Sequence, residues 1–243
     1  CKEITSIDIP SSVSTIGQSA FENSSKLEAI NVNGNNTKYS SGEGVLYYKN
    51  KTQLITYPEN KQGASIQIPG TVSSIENAAF SGSKLISVNI PSSVTVIKEN
   101  AFKNNSKLEA IEIPSSVKTI QNLIFSGCTE LKDVTVKWGT PLSVPEDIFK
   151  DVNTANVTLH VPIGKESAYN NAEVWKNFNI TSTPVSTEQI EQASLQARLI
   201  GGILYVAGLR AGEIVSVYNI NGKIVHRNTA KAEAVQIPLA TTK

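Results

Sequence analysis

Methionine is absent from this chain of 243 residues, and cysteine, histidine and tryptophan occur only twice each. The scarcity of histidine and cysteine is the first constraint. His160 and His226 stand far apart, and no pair has metal-ligand spacing. There is no Gly-rich phosphate loop and no nucleophile elbow. Near ordered elements the close acidic pairs are Glu109 with Glu112 and Glu146 with Asp147. Each falls on one strand face or one turn, whereas a glycosidase needs two carboxylates facing each other across about 5–9 Å of cleft. The expectation is a non-enzyme without catalytic residues, cofactor or metal. Charge of one sign is also lacking: 22 Lys and Arg stand against 21 Asp and Glu, for a net charge of +1. Residues 1–180 carry −1 and the remainder +2, so neither part is a nucleic-acid-binding polycation. Long hydrophobic runs are missing too. The longest, 199–209, has 11 residues between Arg198 and Arg210, against the about 20 that a spanning helix needs. It reads as a core strand with its flanks.

What is there is a repeat. A pattern recurs every 22 to 23 residues through much of the chain: IDIPSSVSTIGQSAF (7–21), IQIPGTVSSIENAAF (66–80), VNIPSSVTVIKENAF (88–102), IEIPSSVKTIQNLIF (111–125) and a drifted copy, VTVKWGTPLSVPEDIF (134–149). Proline falls at Pro10, Pro69, Pro91 and Pro114, and phenylalanine at Phe21, Phe80, Phe102, Phe125 and Phe149. A fixed short period predicts the stacked coils of a solenoid, in which each coil buries itself only against its neighbours.

One coil, 108–130, shows the logic. Ile111 and Ile113 alternate with Glu112 and predict a short strand with both Ile facing in. Pro114 ends it for want of a donor, and Ser115 and Ser116 turn the chain. Val117 and Ile120 point inward from a second extended piece. Residues 122–125 read as a short helical turn that buries Phe125, and Gly127 turns back toward Leu131. The two cysteines occupy the same site of the coil, five coils apart. At about 4.8 Å per coil they lie about 24 Å apart, beyond the about 7 Å reach of a disulfide. Ser24, Ser83 and Asn105 fill that site elsewhere, so a small residue in a tight turn is expected there.

The pattern L-x-x-I-x-I-P-x-S-V-x-x-I-x-x-x-A-F-x-x-C closely resembles the BspA-like leucine-rich repeats over roughly residues 1–180. The resemblance implies a β-rich leucine-rich-repeat solenoid with short helical turns. It also implies a secreted or outer-cell-surface protein that adheres to or binds host proteins. Cys1 to Ile4 sits in register with Cys128 to Leu131, so the chain is expected to start in mid-coil, with upstream sequence missing.

Residues 33–65 break the period. Residues 44–48 and 53–57 flank a polar tetrapeptide, 49–52, and predict a hairpin insertion, which the resembled family also carries. Tyr47 and Tyr48 in it read either as an aromatic ligand platform or as hairpin packing. Being consecutive, one of them must face out of a strand. Residues 159–180 read as a C-terminal cap, with a helix spacing Ala168, Ala172 and Trp175, and with Trp138 and Trp175 either in the cap core or on a sugar platform. Residues 181–189 form a polar linker. Short strands at 203–207, 214–219, 223–226 and 235–238, with an Asn221-Gly222 turn signal, predict a small all-β sandwich over 190–243. This tail resembles the C-terminal sorting domains of bacterial type IX secretion substrates, minus their last strand.

The remaining candidate for function is a surface. The outward residues of the first strand of each coil run Asp8, Asn31, Gln67, Asn89, Glu112, Thr135 and His160. Beside them runs a small row: Ser6, Ala29, Ser65, Ser87, Ala110, Asp133 and Thr158. A polar ladder beside a flat row makes a long accessible face. The expectation is a monomeric, exported binding or adhesion protein whose solenoid face recognises a host or matrix protein. The alternatives are a structural spacer for a missing N-terminal domain and a glycan-binding surface protein.

Overall fold

The computed structural model describes residues 3–183 and, beyond them, 196–200, 203–207, 214–218, 224–229 and 234–238. The chain divides into two compact units, Cys1–Ser182 and Thr183–Lys243. The positions of Cys1 and of the Asn221-Gly222 turn signal lie outside the described residues.

The first unit is a β-solenoid. Its strands run β1 (Ser6–Ile9), β2 (Ala29–Val32), β3 (Tyr39–Gly42), β4 (Val45–Tyr48), β5 (Gln53–Thr56), β6 (Ser65–Gln67), β7 (Ser74–Ile75), β8 (Ser87–Asn89), β9 (Val96–Ile97), β10 (Ala110–Ile113), β11 (Thr119–Ile120), β12 (Asp133–Val136) and β13 (Thr158–Pro162). Helix α1 (Glu166–Asn170) and strand β14 (Asn179–Thr183) follow. One six-stranded sheet has the order β14-β13-β12-β10-β8-β6, a second has the order β11-β9-β7-β5-β4-β3, and β1 pairs with β2 alone. Successive coils pair in parallel.

The repeat signature has a physical reason at each position. In β10, Ile111 and Ile113 are buried and Glu112 is exposed, as the period of two demands. The second Ser of Pro-Ser-Ser-Val ties one coil to the one before it. Ser93 Oγ donates to Val72 O at 2.7 Å, and Ser116 Oγ donates to Val94 O at 2.8 Å. In the drifted coil the Trp138 indole N–H takes over, donating to Val117 O at 2.9 Å. Four of the five repeat Phe residues stack along the axis behind Tyr57, while Phe21 packs against a separate cluster around Ile9 and Ile30. Ring centroids are 5.5 Å apart for Tyr57–Phe80, 4.9 Å for Phe80–Phe102, 5.6 Å for Phe102–Phe125 and 5.2 Å for Phe125–Phe149. Phe178 closes the column edge-on to Phe149 at 4.9 Å.

The corner that carries the Phe is not the helical turn that the coil pattern suggests. Ala78, Asn100 and Leu123, two residues before the Phe, have φ of 54°, 59° and 56°. Gly82, Asn104 and Gly127, two residues after it, are also left-handed, at 69°, 58° and 74°. A left-handed residue on either side breaks a helix, at a cost of about 1–3 kcal/mol for a non-glycine residue. In exchange the amides turn along the solenoid axis. Ala78 N–H donates to Glu99 O at 3.0 Å, Phe80 N–H to Ala101 O at 2.7 Å, and Gly82 N–H to Lys103 O at 2.9 Å. The next coil repeats this from Asn100, Phe102 and Asn104. A third bonded ladder therefore runs up the corner and satisfies buried backbone that a helical turn would leave facing its neighbour.

Beneath it lies a buried polar row of Ser24, Ser83, Asn105 and Cys128. Asn105 Nδ2 donates to Phe80 O and Phe102 O, and Asn105 Oδ1 accepts from Ser83 Oγ. Cys128 Sγ donates to Phe102 O at 3.1 Å. Burial pushes this thiol up to about 12, so it stays protonated and unreactive at neutral pH.

The irregular coil holds three strands rather than two. Strands β4 and β5 form the expected hairpin, and β3 adds to it through a two-residue turn at Glu43 and Gly44, both left-handed. This three-stranded piece splits the hydrophobic core. Ile9, Leu27, Ile30, Tyr39 and Leu46 form one cluster, while Val45, Tyr47, Leu54 and Tyr57 join the long core of the later coils. Fully buried Asn36 pins its base. Its Nδ2 donates to Pro10 O and Val13 O, both at 2.9 Å, and its Oδ1 accepts from Lys38 N–H and Tyr39 N–H, both at 2.8 Å.

At the far end, α1 has only five residues, and Val174 at φ 70° stops any continuation through Ala172 to Trp175. Tyr169 and Trp175 are fully buried. The Tyr169 hydroxyl donates to Trp138 O at 2.9 Å, and burial raises its pKa. Trp175 Nε1 donates to Leu142 O at 2.8 Å. Both Trp rings are thus cap core.

The second unit contains β15 (Gln196–Ile200), β16 (Ile203–Ala207), β17 (Ile214–Tyr218), β18 (Ile224–Thr229) and β19 (Ala234–Pro238). Strands β15-β16-β19 form one antiparallel sheet, and β17-β18 form another. The strand expected inside the apolar run 199–209 is β16, and one of its flanks, Leu199 and Ile200, belongs to β15, where Ile200 pairs with Ile203.

Candidate binding face

The sequence-predicted ladder lies in strand register, but in two pieces. Asp8 pairs with Asn31 on the β1-β2 sheet. Gln67, Asn89, Glu112, Thr135 and His160 follow one another across β6, β8, β10, β12 and β13. The β3-β4 turn separates the pieces: Ile30 N–H of β2 donates to Gly44 O at 2.8 Å instead of meeting β6. The small row is in register beside each piece, Ser6 with Ala29, and then Ser65, Ser87, Ala110, Asp133 and Thr158.

The face changes character along its length. Asp8, Asn31, Gln67, Asn89 and Glu112 are exposed, while Thr135 and His160 are half-buried. Asn31 Nδ2 donates to Asp8 Oδ1 at 3.0 Å, and Asn89 Nδ2 reaches Gln67 Oε1 only at 3.5 Å. Toward the cap the polar and charged side chains are paired. Lys137 Nζ meets Glu112 Oε1 at 2.9 Å, Lys132 Nζ meets Glu109 Oε2 at 3.0 Å, and His160 Nε2 lies 2.8 Å from Asp133 Oδ1. Sequence reasoning missed Lys137, although it stands where the pattern has proline, and that exception was the available signal. The freest polar side chains on the face are thus Gln67 and Asn89.

The two tyrosines part company. Tyr47 is 3% exposed and Tyr48 is 40% exposed. Burial, with the Glu43 charge second, pushes the Tyr47 phenol up to about 12. Tyr48 leans on Tyr39 at 5.6 Å. A flat two-ring platform is not formed. Among the described residues, no group of three His, Cys, Asp or Glu side chains is placed to hold a metal, and no helix is long and apolar enough to cross a membrane.

The coil signature, the parallel coil register and the aromatic column define a leucine-rich-repeat solenoid. The family profile described as the BspA type leucine rich repeat region matches in six copies over residues 1–63 and 59–173, so the chain belongs to that family. Among solved structures, a leucine-rich repeat protein from Eubacterium ventriosum is 33% identical, with 65% of this chain and 42% of that one covered at a TM-score of 0.55. A leucine rich cell surface protein from Faecalibacterium prausnitzii is 26% identical, with 75% and 49% covered at a TM-score of 0.58. The pneumococcal vaccine antigen PcpA, at 22% identity, shares the fold over 75% of this chain and 56% of its own, with a TM-score of 0.55. The matched part thus spans between two fifths and three fifths of these relatives' length. No curated protein matches the sequence.

Proposed function

We propose that this is an exported, monomeric, non-enzymatic surface protein that binds a host or matrix protein through its solenoid face. The observation that carries the reading is the unbroken polar ladder from Gln67 to His160 beside a small-residue row, held rigid by in-register parallel strands. A rigid and laterally open sheet suits a protein surface better than a small molecule. The Faecalibacterium cell surface protein and the family supply an associational argument for the location. The second unit is read as a small β-sandwich of the sorting-domain kind, which its two antiparallel sheets support.

One observation favours the spacer instead: the charged groups near the cap already satisfy one another. The glycan reading retains Tyr48 alone, since Tyr47, Trp138 and Trp175 are buried. The test is binding of the purified chain to arrayed extracellular-matrix proteins, mucins and polysaccharides. Saturable protein binding lost in Asn89→Arg/Glu112→Arg, and kept in Tyr48→Ala, supports the face. Loss only in Tyr48→Ala moves the site to the hairpin. Absence of binding to any arrayed molecule at micromolar concentration favours the spacer.

A further inference from the structure

The wedge that divides the ladder leaves a sheet edge unpaired. Strand β6 ends the six-stranded sheet and has one strand neighbour, β8. Ala64 O accepts from Ile86 N–H at 2.8 Å and from Ser87 N–H at 3.2 Å. In a parallel ladder with that register, the backbone of Ile66 faces β8, and the N–H and C=O groups of Ser65 and Gln67 face away from it. In a regular coil the preceding strand would take those groups. Here that strand, β2, is occupied: Gly44 O holds Ile30 N–H, and Ser41 Oγ accepts from Val32 N–H at 3.0 Å. The contact is close, since a Cβ on Gly44 would stand 3.0 Å from Ala29 Cβ.

Between the hairpin and β6 lies a groove of about 530 Å³. Its apolar surface comes from the partly exposed Ile66 and Pro69, over the buried Val45 and Tyr47, and Lys51 and Lys61 supply positive charge. Lys51 Nζ sits 5.9 Å above the Tyr47 ring centroid. Neither lysine is in an ion pair among the described residues. Glu43 is the one carboxylate in the lining, and it is exposed at the rim.

We propose that this groove binds an extended segment of a partner protein, carrying an acidic side chain, by adding it as a strand to β6. Strand addition uses the free main-chain groups for affinity and side-chain pockets for choice. Ser65 and Gln67 supply the main-chain groups. The apolar lining seats one side chain of the added strand, and Lys51 with Lys61 receives its carboxylate. The groove's size lies within the about 300–1,000 Å³ of ordinary ligand sites. A second copy of the chain suits it poorly, because the hairpin that walls one β6 edge would also stand in front of the other. Sugars suit it poorly as well, because the rings of Tyr47 and Tyr57 are buried rather than offered as faces.

The experiment measures fluorescence anisotropy of a labelled peptide titrated with the full chain. The peptide has about eight residues, alternating valine and threonine around a central aspartate. Saturable binding is expected. Methylation of alternate backbone nitrogens should weaken it about tenfold for each main-chain bond removed, and so should replacing the aspartate by lysine. Lys51→Glu/Lys61→Glu should lose the aspartate peptide and gain the lysine one. Gln67→Pro removes one outward N–H and should bind more weakly with an unchanged circular-dichroism spectrum. Asn89→Arg/Glu112→Arg should bind as the unmodified chain does, which separates this site from the sheet face. Equal binding of the methylated peptide overturns the proposal, whatever the variants do. So does no binding at millimolar peptide, or a peptide-free dimer in sedimentation that Gln67→Pro dissolves, which would make a second copy the occupant.

Discussion

Leu46 and Tyr47 are adjacent in β4 and belong to different cores: Leu46 packs with Ile9, Leu27 and Ile30, and Tyr47 with Leu54, Tyr57 and the later coils. A strand alternates its side chains, so one hairpin strand serves as a wall between two hydrophobic compartments. Leu46→Ala should cost about 2–5 kcal/mol. The loss should concentrate on one side of the wall. Hydrogen exchange should quicken in β1 and β2 and stay near its original rate in β8 to β12. Equal acceleration on both sides would mean that the wall does not isolate the compartments.

In the long core, Phe102 lies between Phe80 and Phe125 and is fully buried. Phe102→Ala should cost about 3–5 kcal/mol by opening a cavity in the column. Glu112→Ala removes a pair with Lys137 in which the Glu112 side chain is half exposed, and should cost no more than about 1 kcal/mol. Urea denaturation of both variants checks the assignment of inside and outside, and the reverse order would refute it.

Asn36 fills all four of its hydrogen-bonding positions inside the protein. Asn36→Ala strands two carbonyls and two amides and should cost about 2–4 kcal/mol. Asn36→Asp should be no better, because a carboxylate cannot donate to Pro10 O and Val13 O. If Asn36→Asp melted like the unmodified chain, those two donations would carry no weight.

Glu59 gives a pH test. Its carboxylate accepts from Ser24 N–H at 3.1 Å, yet burial raises its pKa against the pull of the Asn23 and Ser24 amides. A carboxyl with a raised folded pKa holds its proton more tightly folded than unfolded. The associated stability is therefore complete below the unfolded pKa and is lost as pH rises through the folded one. Glu59→Gln keeps an acceptor oxygen and removes that loss. Thermal melts should place the variant at or above the unmodified chain at neutral pH, with the gap closing below about pH 4. A variant that melts lower at neutral pH and equally in acid would show that the charge stabilises the fold.

Within the regular coils, period, register and the inward or outward sense of the strand positions were legible in the sequence. A stacked coil sets each residue on its counterpart about 23 positions away, so Asn89 and Glu112 had to meet in register. The route of the Phe corner was not legible. Ala78, Asn100 and Leu123 adopt left-handed φ without being glycine, because bonds to the next coil's backbone outweigh a local preference. Lys137 in place of the repeat proline marked an exception in the sequence, but its pairing with Glu112 was not legible, since that pair depends on how side chains lean across the sheet.

The repeat by itself determined a solenoid, its aromatic column and a polar outer ladder, because identical coils can bury their apolar positions only against one another. Tertiary structure decided where that ladder breaks, which tyrosine is exposed and which sheet edge is left open. Those outcomes follow from one irregular coil wedged between β2 and β6, and an irregular coil has no counterpart in the repeat from which its position could be read.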